Sequence, residues 1–214
     1  MATERAGRDR AAVVPLGRAV RPGVLAGERV LTVAGDLGGL LPGGGLRRGA
    51  VAVLDGPLGA GVTSFVLSLA AAATATGEWV AVVDDGTLGG AAAADAGVAL
   101  ERLAVIRHVP APRWATVVAA LLDGVSLVAA AAPAHLRVGD ARRLVARARE
   151  RGAALVVTGT WPVEAAVRVH AEGVAWSGLG AGTGLLDACT RRVRVEGRGA
   201  PVSGEIAGRA AAGA

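Results

Sequence analysis

The 214-residue chain has no lysine, asparagine, glutamine or tyrosine, and only one residue each of cysteine, methionine and phenylalanine. All 23 basic side chains are therefore arginines, set against 18 acidic ones for a formal net charge of +5. Each absence excludes some chemistry. Without lysine there is no Schiff-base nucleophile and no ammonium to grip a phosphate, and without glutamine there is no glutamine sensor. A single cysteine, Cys189, excludes an internal disulfide and a multi-thiolate metal site. His108, His135 and His170 stand far apart, in no zinc-binding spacing. No run of 18 apolar residues free of charge and glycine is present, which argues against a membrane span. Met1 to Arg10 is charged with no apolar stretch after it, unlike a secretory signal, so a cytoplasmic location is expected.

What is present falls into three parts. Residues 1–27 read as a flexible basic arm, with Pro15 and Pro22 and no sustained period. Residues 28–198 read as one α/β core, and residues 199–214 as a low-complexity tail. In the core, short apolar runs alternate with helical spacings. Strands are expected at Ala50–Asp55, Trp79–Val83, Leu103–Ile106, Val125–Ala131 and Ala153–Thr158. Helices are expected at Thr63–Thr76, Ala91–Ala96, Pro112–Asp123 and from a cap at Asp140 to Arg151. Short β segments follow at Ala166–His170, Val174–Trp176 and Arg191–Val195. This alternation implies right-handed βαβ units, a mainly parallel central sheet flanked by helices, and antiparallel edge strands at the C-terminal end.

The segment Gly56-Pro-Leu-Gly-Ala-Gly-Val-Thr-Ser64 joins the first core strand to the first long helix. That is where a phosphate loop presents backbone N–H groups and a helix N-terminus to an anion. Gly56, Gly59, Gly61, Thr63 and Ser64 fit the loop, but Val62 stands where the Walker lysine belongs. The fourth strand carries no magnesium-binding aspartate at its exit, where Ala131 stands. Asp123 lies at the other end of that strand, about 25 Å away at about 3.3 Å per residue. Asp84 and Asp85, after the second strand, are the candidate metal-facing carboxylates; a strand-ending turn is the alternative.

These motifs resemble the RecA-like P-loop ATPases from Leu31 to about Val195. Within that superfamily the chain is most similar to the actinobacterial ImuA-like (ImuA-prime) proteins, through Leu41–Gly49, Trp114–Gly124, Ala141–Gly152 and Trp176–Gly184. The resemblance implies a RecA fold whose catalytic groups are missing: Val62 at the Walker lysine, Ala131 at the Walker B aspartate, Gly86 near the catalytic glutamate and Thr160 near the sensor glutamine. It implies a pseudo-ATPase without cofactor, acting in damage-induced (SOS) translesion synthesis beside an ImuB-like Y-family protein and an error-prone C-family polymerase. Two other functions stay open: a switch that binds ATP and magnesium, and a DNA-binding modulator of recombination.

Candidate DNA or partner surfaces are Arg142, Arg143, Arg147, Arg149 and Arg151 on the helix, and Arg191, Arg192 and Arg194 on the strand. The bland alternative for the helix is a solvated face whose arginines complement the helix dipole. The strand's arginine/valine alternation suits a charge-protected edge or a docking edge. Trp79 and Trp114 are expected in the core, and Trp161 or Trp176 as an exposed interface anchor. Cys189 reads as a buried, inert thiol.

Overall fold

A computed structural model of the chain describes residues 30–84, 86–179 and 184–209, which leaves the basic arm outside the described residues. The described chain begins with a small antiparallel ribbon, β1 (Val30–Thr32) and β2 (Gly45–Arg47), around the short helix α1 (Gly35–Leu40). Then come β3 (Val51–Asp55), α2 (Val62–Ala75), β4 (Val80–Asp84), α3 (Gly90–Asp95) and β5 (Leu103–Arg107). They are followed by α4 (Ala111–Gly124), β6 (Leu127–Ala131), α5 (Val138–Arg151) and β7 (Ala154–Thr158). Three longer strands finish the fold: β8 (Val167–Leu179), β9 (Gly184–Glu196) and β10 (Val202–Arg209). No helix among the described residues is long and apolar enough to cross a membrane.

The main sheet has eight strands in the order β10-β9-β8-β3-β7-β6-β4-β5. The strands from β8 to β5 are mutually parallel, and β9 runs against them and against β10. The sequence reason is visible in β3. Its run Val-Ala-Val-Leu has no polar alternation because both faces are covered. Val51 and Val53 pack with α4 and α5 residues such as Val118, Leu122 and Leu144. Ala52 and Leu54 face the opposite layer, with Phe65, Leu69 and Ala70 of α2 and Leu37 of α1. The result is three layers with β3 in mid-sheet, so the loop leaving β3 emerges at the centre of one sheet edge.

The structure corrects four sequence expectations. Asp140 is not the helix cap: the N-cap is Arg137, three residues earlier, and Asp140 lies in the first turn, where its charge still suits the dipole. The short β segments after Trp161 are parts of two 13-residue strands. Part of the segment read as tail, Val202–Arg209, is a strand paired with β9 over its full length, so the arginine-rich β9 is internal and β10 is the edge. Trp79, expected in the core, is half exposed. It lies just before β4.

At that same end of the sheet, Glu78 ties three segments together. Arg48 Nη2 donates to Glu78 Oε1 at 2.7 Å, and the Ser126 hydroxyl donates to Oε2. The Ser126 hydrogen bond and then the Arg48 interactions outweigh partial burial, holding the Glu78 carboxyl below its usual range. A depressed carboxylate pKa stabilises the fold above the unfolded-state value and loses that contribution as pH falls through the folded-state value. The stability difference between wild type and Glu78→Gln, measured by urea unfolding, is therefore expected to be full above about pH 5 and to vanish at lower pH. Leu155 is fully buried at the centre of the sheet, and Leu155→Ala is expected to cost about 2–5 kcal/mol in the same measurement.

Candidate functional site

The loop after β3 keeps its shape by glycine geometry and packing. Gly56, Gly59 and Gly61 have φ of +155°, +85° and +91°, and at +85° and +91° a side chain is strained. Gly56 is also pressed onto β8: a Cβ there would lie 2.6 Å from the Ala171 carbonyl oxygen and 2.9 Å from its Cβ. Gly61 is the N-cap of α2, with no side chain capping the helix and no acidic residue in its first turn. The backbone N–H groups of that turn thus lack helical acceptors, as a phosphate loop requires. Beside them lies an open depression of about 330 Å³, lined among others by Leu54, Asp55, Leu58, Val62, Thr63 and Gly159.

Val62, the first residue of α2, lines this depression. Ala131 ends β6, two strands from β3, exposed and paired with Thr158. Gly86 and Thr160 are exposed as well and bring no acid or amide. Asp84 is taken up by its own turn. β4 lies three strands from β3, about 14 Å along the sheet at about 4.8 Å per strand. Its carboxylate accepts the Gly86 and Leu88 N–H groups at 3.0 and 2.9 Å and the Thr87 hydroxyl at 3.1 Å. Arg107 Nε stands 3.8 Å away. Burial pushes the Asp84 carboxyl up, but these hydrogen bonds outweigh it and hold the group below the ordinary carboxylate range. The turn-forming alternative therefore holds for Asp84, whereas Asp85 lies outside the described residues. Among the described residues, no group of three or more His, Cys, Asp or Glu side chains could hold a metal ion.

The arginine helix is largely self-neutralised. Arg147 Nε lies 2.6 Å and Arg151 Nε 3.2 Å from Asp123 Oδ1, Arg147 also meets Glu150, and Arg143 meets Asp140 at 3.5 Å. Arg142 and Arg149 stand exposed. On β9, Arg192 and Arg194 point outward toward Glu205 and Glu196, at 3.9 and 3.1 Å. Trp161 is buried, at 5% exposure, and is not the exposed tryptophan that an interface anchor requires, while Trp176 on β8 is half exposed.

Two features went unread in the sequence. The first is the inward course of Arg191: expected on a DNA or partner surface with Arg192 and Arg194, it instead shares the inward face of β9 with Val193 and Val195. It crosses to the loop: a Cβ on Gly61 would fall 2.7 Å from Arg191 Nε, and Nη2 donates to the Ser64 hydroxyl at 3.4 Å. Its Nε is buried with no hydrogen-bond partner. Parity was the available signal, since 191 is odd like 193 and 195. The second is a pair between Asp55, the last residue of β3, and His170 Nδ1 on β8. Their cross-strand register places them side by side, and no local sequence signal marks it.

The family model for the MT3502 N-terminal domain matches residues 39–163. The chain is also similar to the uncharacterized protein Rv3395c of Mycobacterium tuberculosis (strain H37Rv), with 35% identity over 189 residues, covering 82% of this chain and 87% of that protein.

Gly61→Ala is expected to destabilise the fold by about 1–3 kcal/mol, from left-handed backbone strain and the clash with Arg191. Arg191→Ala should relieve the clash, so the double mutant should cost less than the sum of the two single changes in urea unfolding.

Proposed function

The chain belongs to the MT3502 N-terminal domain family, and from that premise we propose that it is a non-catalytic RecA-like scaffold of the ImuA-prime kind. In this reading it supports damage-induced translesion synthesis by holding an ImuB-like protein and an error-prone polymerase together. One observation carries the reading: the loop has the backbone of a phosphate cradle but none of its charges. Val62 occupies the lysine slot, Ala131 the metal-aspartate slot, and Asp84 is consumed by its own turn. Single losses of charge-stabilising groups already cost about 10²-fold or more in rate. The β3 position in mid-sheet, with parallel neighbours on both sides and a glycine loop leading into α2, supports the RecA-like assignment.

The nucleotide switch is the second reading, favoured by the open depression beside the uncapped α2 terminus. The DNA-binding modulator draws less support, since Arg143, Arg147, Arg151, Arg192 and Arg194 sit in ion pairs.

Purified protein is expected to show no ATP hydrolysis above background, and Val62→Lys alone should not create it. Co-expressed with the ImuB-like protein of its own genome, the chain should retain that partner through purification. Turnover abolished by a change at Thr63, or loss of partner retention by correctly folded wild type, contradicts the scaffold. Calorimetry with millimolar Mg-ATP separates the switch, which requires measurable heat.

A further inference from the structure

The main sheet protects its edges unequally. An open edge offers unpaired N–H and C=O groups to any strand that meets it, so folded chains blunt edges with charge, bulges or a covering element. The β10 edge is blunted by α1: Asp36 accepts the Ala207 N–H at 3.1 Å, and Leu40 packs on Gly204. β8 continues past its last pairing with β3 at His170, and there its register slips at Ala171–Gly173 and at Ser177–Leu179.

β5 has none of these devices. It is as long as its neighbour β4, pairs with it without a bulge, and carries no charge or proline from Leu103 to Ile106. Its outward N–H and C=O groups have no partner among the described residues. The two flanking arginines that would screen this edge are turned to the β4 side. Arg102 Nη1 donates to the Gly77 carbonyl and Arg107 Nη2 to the Leu88 carbonyl, both at 2.7 Å. Val105, in the middle of the strand, is 39% exposed, and Leu100, in the turn that leads into it, is exposed as well.

The strand is also complementary to itself. Set antiparallel about Val105, two copies meet along the whole of Leu103–Arg107. Val105 then faces Val105, Ala104 faces Ile106, and Leu103 lies against the aliphatic stem of Arg107, pairs of the kind that stabilise a sheet. The charges favour this direction. Glu101, exposed before β5 and unpaired among the described residues, comes to the end where the other copy has Arg107 and the exposed His108. Parallel pairing would instead set Glu101 against Glu101 and Arg107 against Arg107.

We propose that the chain forms a twofold dimer in which β5 pairs antiparallel with β5 of a second copy, joining the two eight-stranded sheets into one. The contact is isologous, so it closes on itself. It lies four strands from β3 and takes nothing from the scaffold reading.

Analytical ultracentrifugation of the full chain at micromolar concentration tests it. The expected result is a monomer–dimer equilibrium, about ten-fold or more weaker in Val105→Lys, which sets two ammonium groups side by side at the axis. Val202→Lys, the same change on the blunted edge, should leave the dimer intact. Val105→Cys should give a disulfide-linked dimer on mild oxidation, whereas Val202→Cys should not; the native Cys189 is buried and stays out of the reaction. The cross-link reads the contact even where Val105→Lys fails to fold. A monomeric wild type, a dimer that folded Val105→Lys leaves unmoved, equal dissociation by Val202→Lys, absence of the Val105→Cys cross-link, or assemblies larger than a dimer each overturn the proposal.

Discussion

The contact on which the site depends is the seating of the glycine loop between two strands and a helix. Gly56 lies on Ala171 of β8, and Gly61 lies under Arg191 of β9. Both contacts require the absence of a side chain, and both are made to strands that follow the loop by more than a hundred residues. A phosphate loop that works as a catalyst is held in part by the ion it binds. Here the loop is held from behind by the sheet. On the proposed reading, that separates two properties that usually travel together, the geometry of the cradle and its charge.

The arrangement also explains why β8, β9 and β10 belong to the core domain and are not an appendage. Val193, Val195 and Ile206 complete the apolar layer against α1 and α2. Leu40 of α1 packs onto Gly204 of β10, and Asp36 accepts the Ala207 N–H at 3.1 Å. The small ribbon and helix before β3 and the last strand of the sheet therefore close on each other. Arg191 leaves this layer and reaches the loop, a cation on the strand face that also carries Cys189, Val193 and Val195.

Much of the fold could be read from the sequence, for a physical reason. Strands buried on both faces appear as uninterrupted Val, Ala and Leu runs, and helices buried on one face show their spacing; β3, α2, β4, α4 and β7 all have one of these signatures. The long hairpin and β10 were harder. Their runs contain Gly, Ser, Glu and Arg because one face is wet, and Val202–Arg209 shows weak alternation broken by two glycines. That Val62 stands where the loop meets α2 and Ala131 at the end of β6 could be read, because the strand and helix patterns fix both places. The Asp55–His170 pair could not, since it depends on which strands become neighbours, and for Arg191 parity gave the face but not the loop it reaches. The arginine helix misled in another way. Its charges looked available in one dimension, but α4 brings Asp123 beside them.

The central claim is that the cradle persists without a nucleotide. Its most direct test is the melting temperature of the full chain as Mg-ATP is raised into the millimolar range at constant ionic strength. A ligand that binds the folded state at 100 times its Kd adds about 2.7 kcal/mol of stability, enough to move the transition by several degrees. The account expects no movement beyond that given by an equal concentration of magnesium and a non-nucleotide salt. A saturable rise specific to Mg-ATP, abolished by Thr63→Ala, would contradict it.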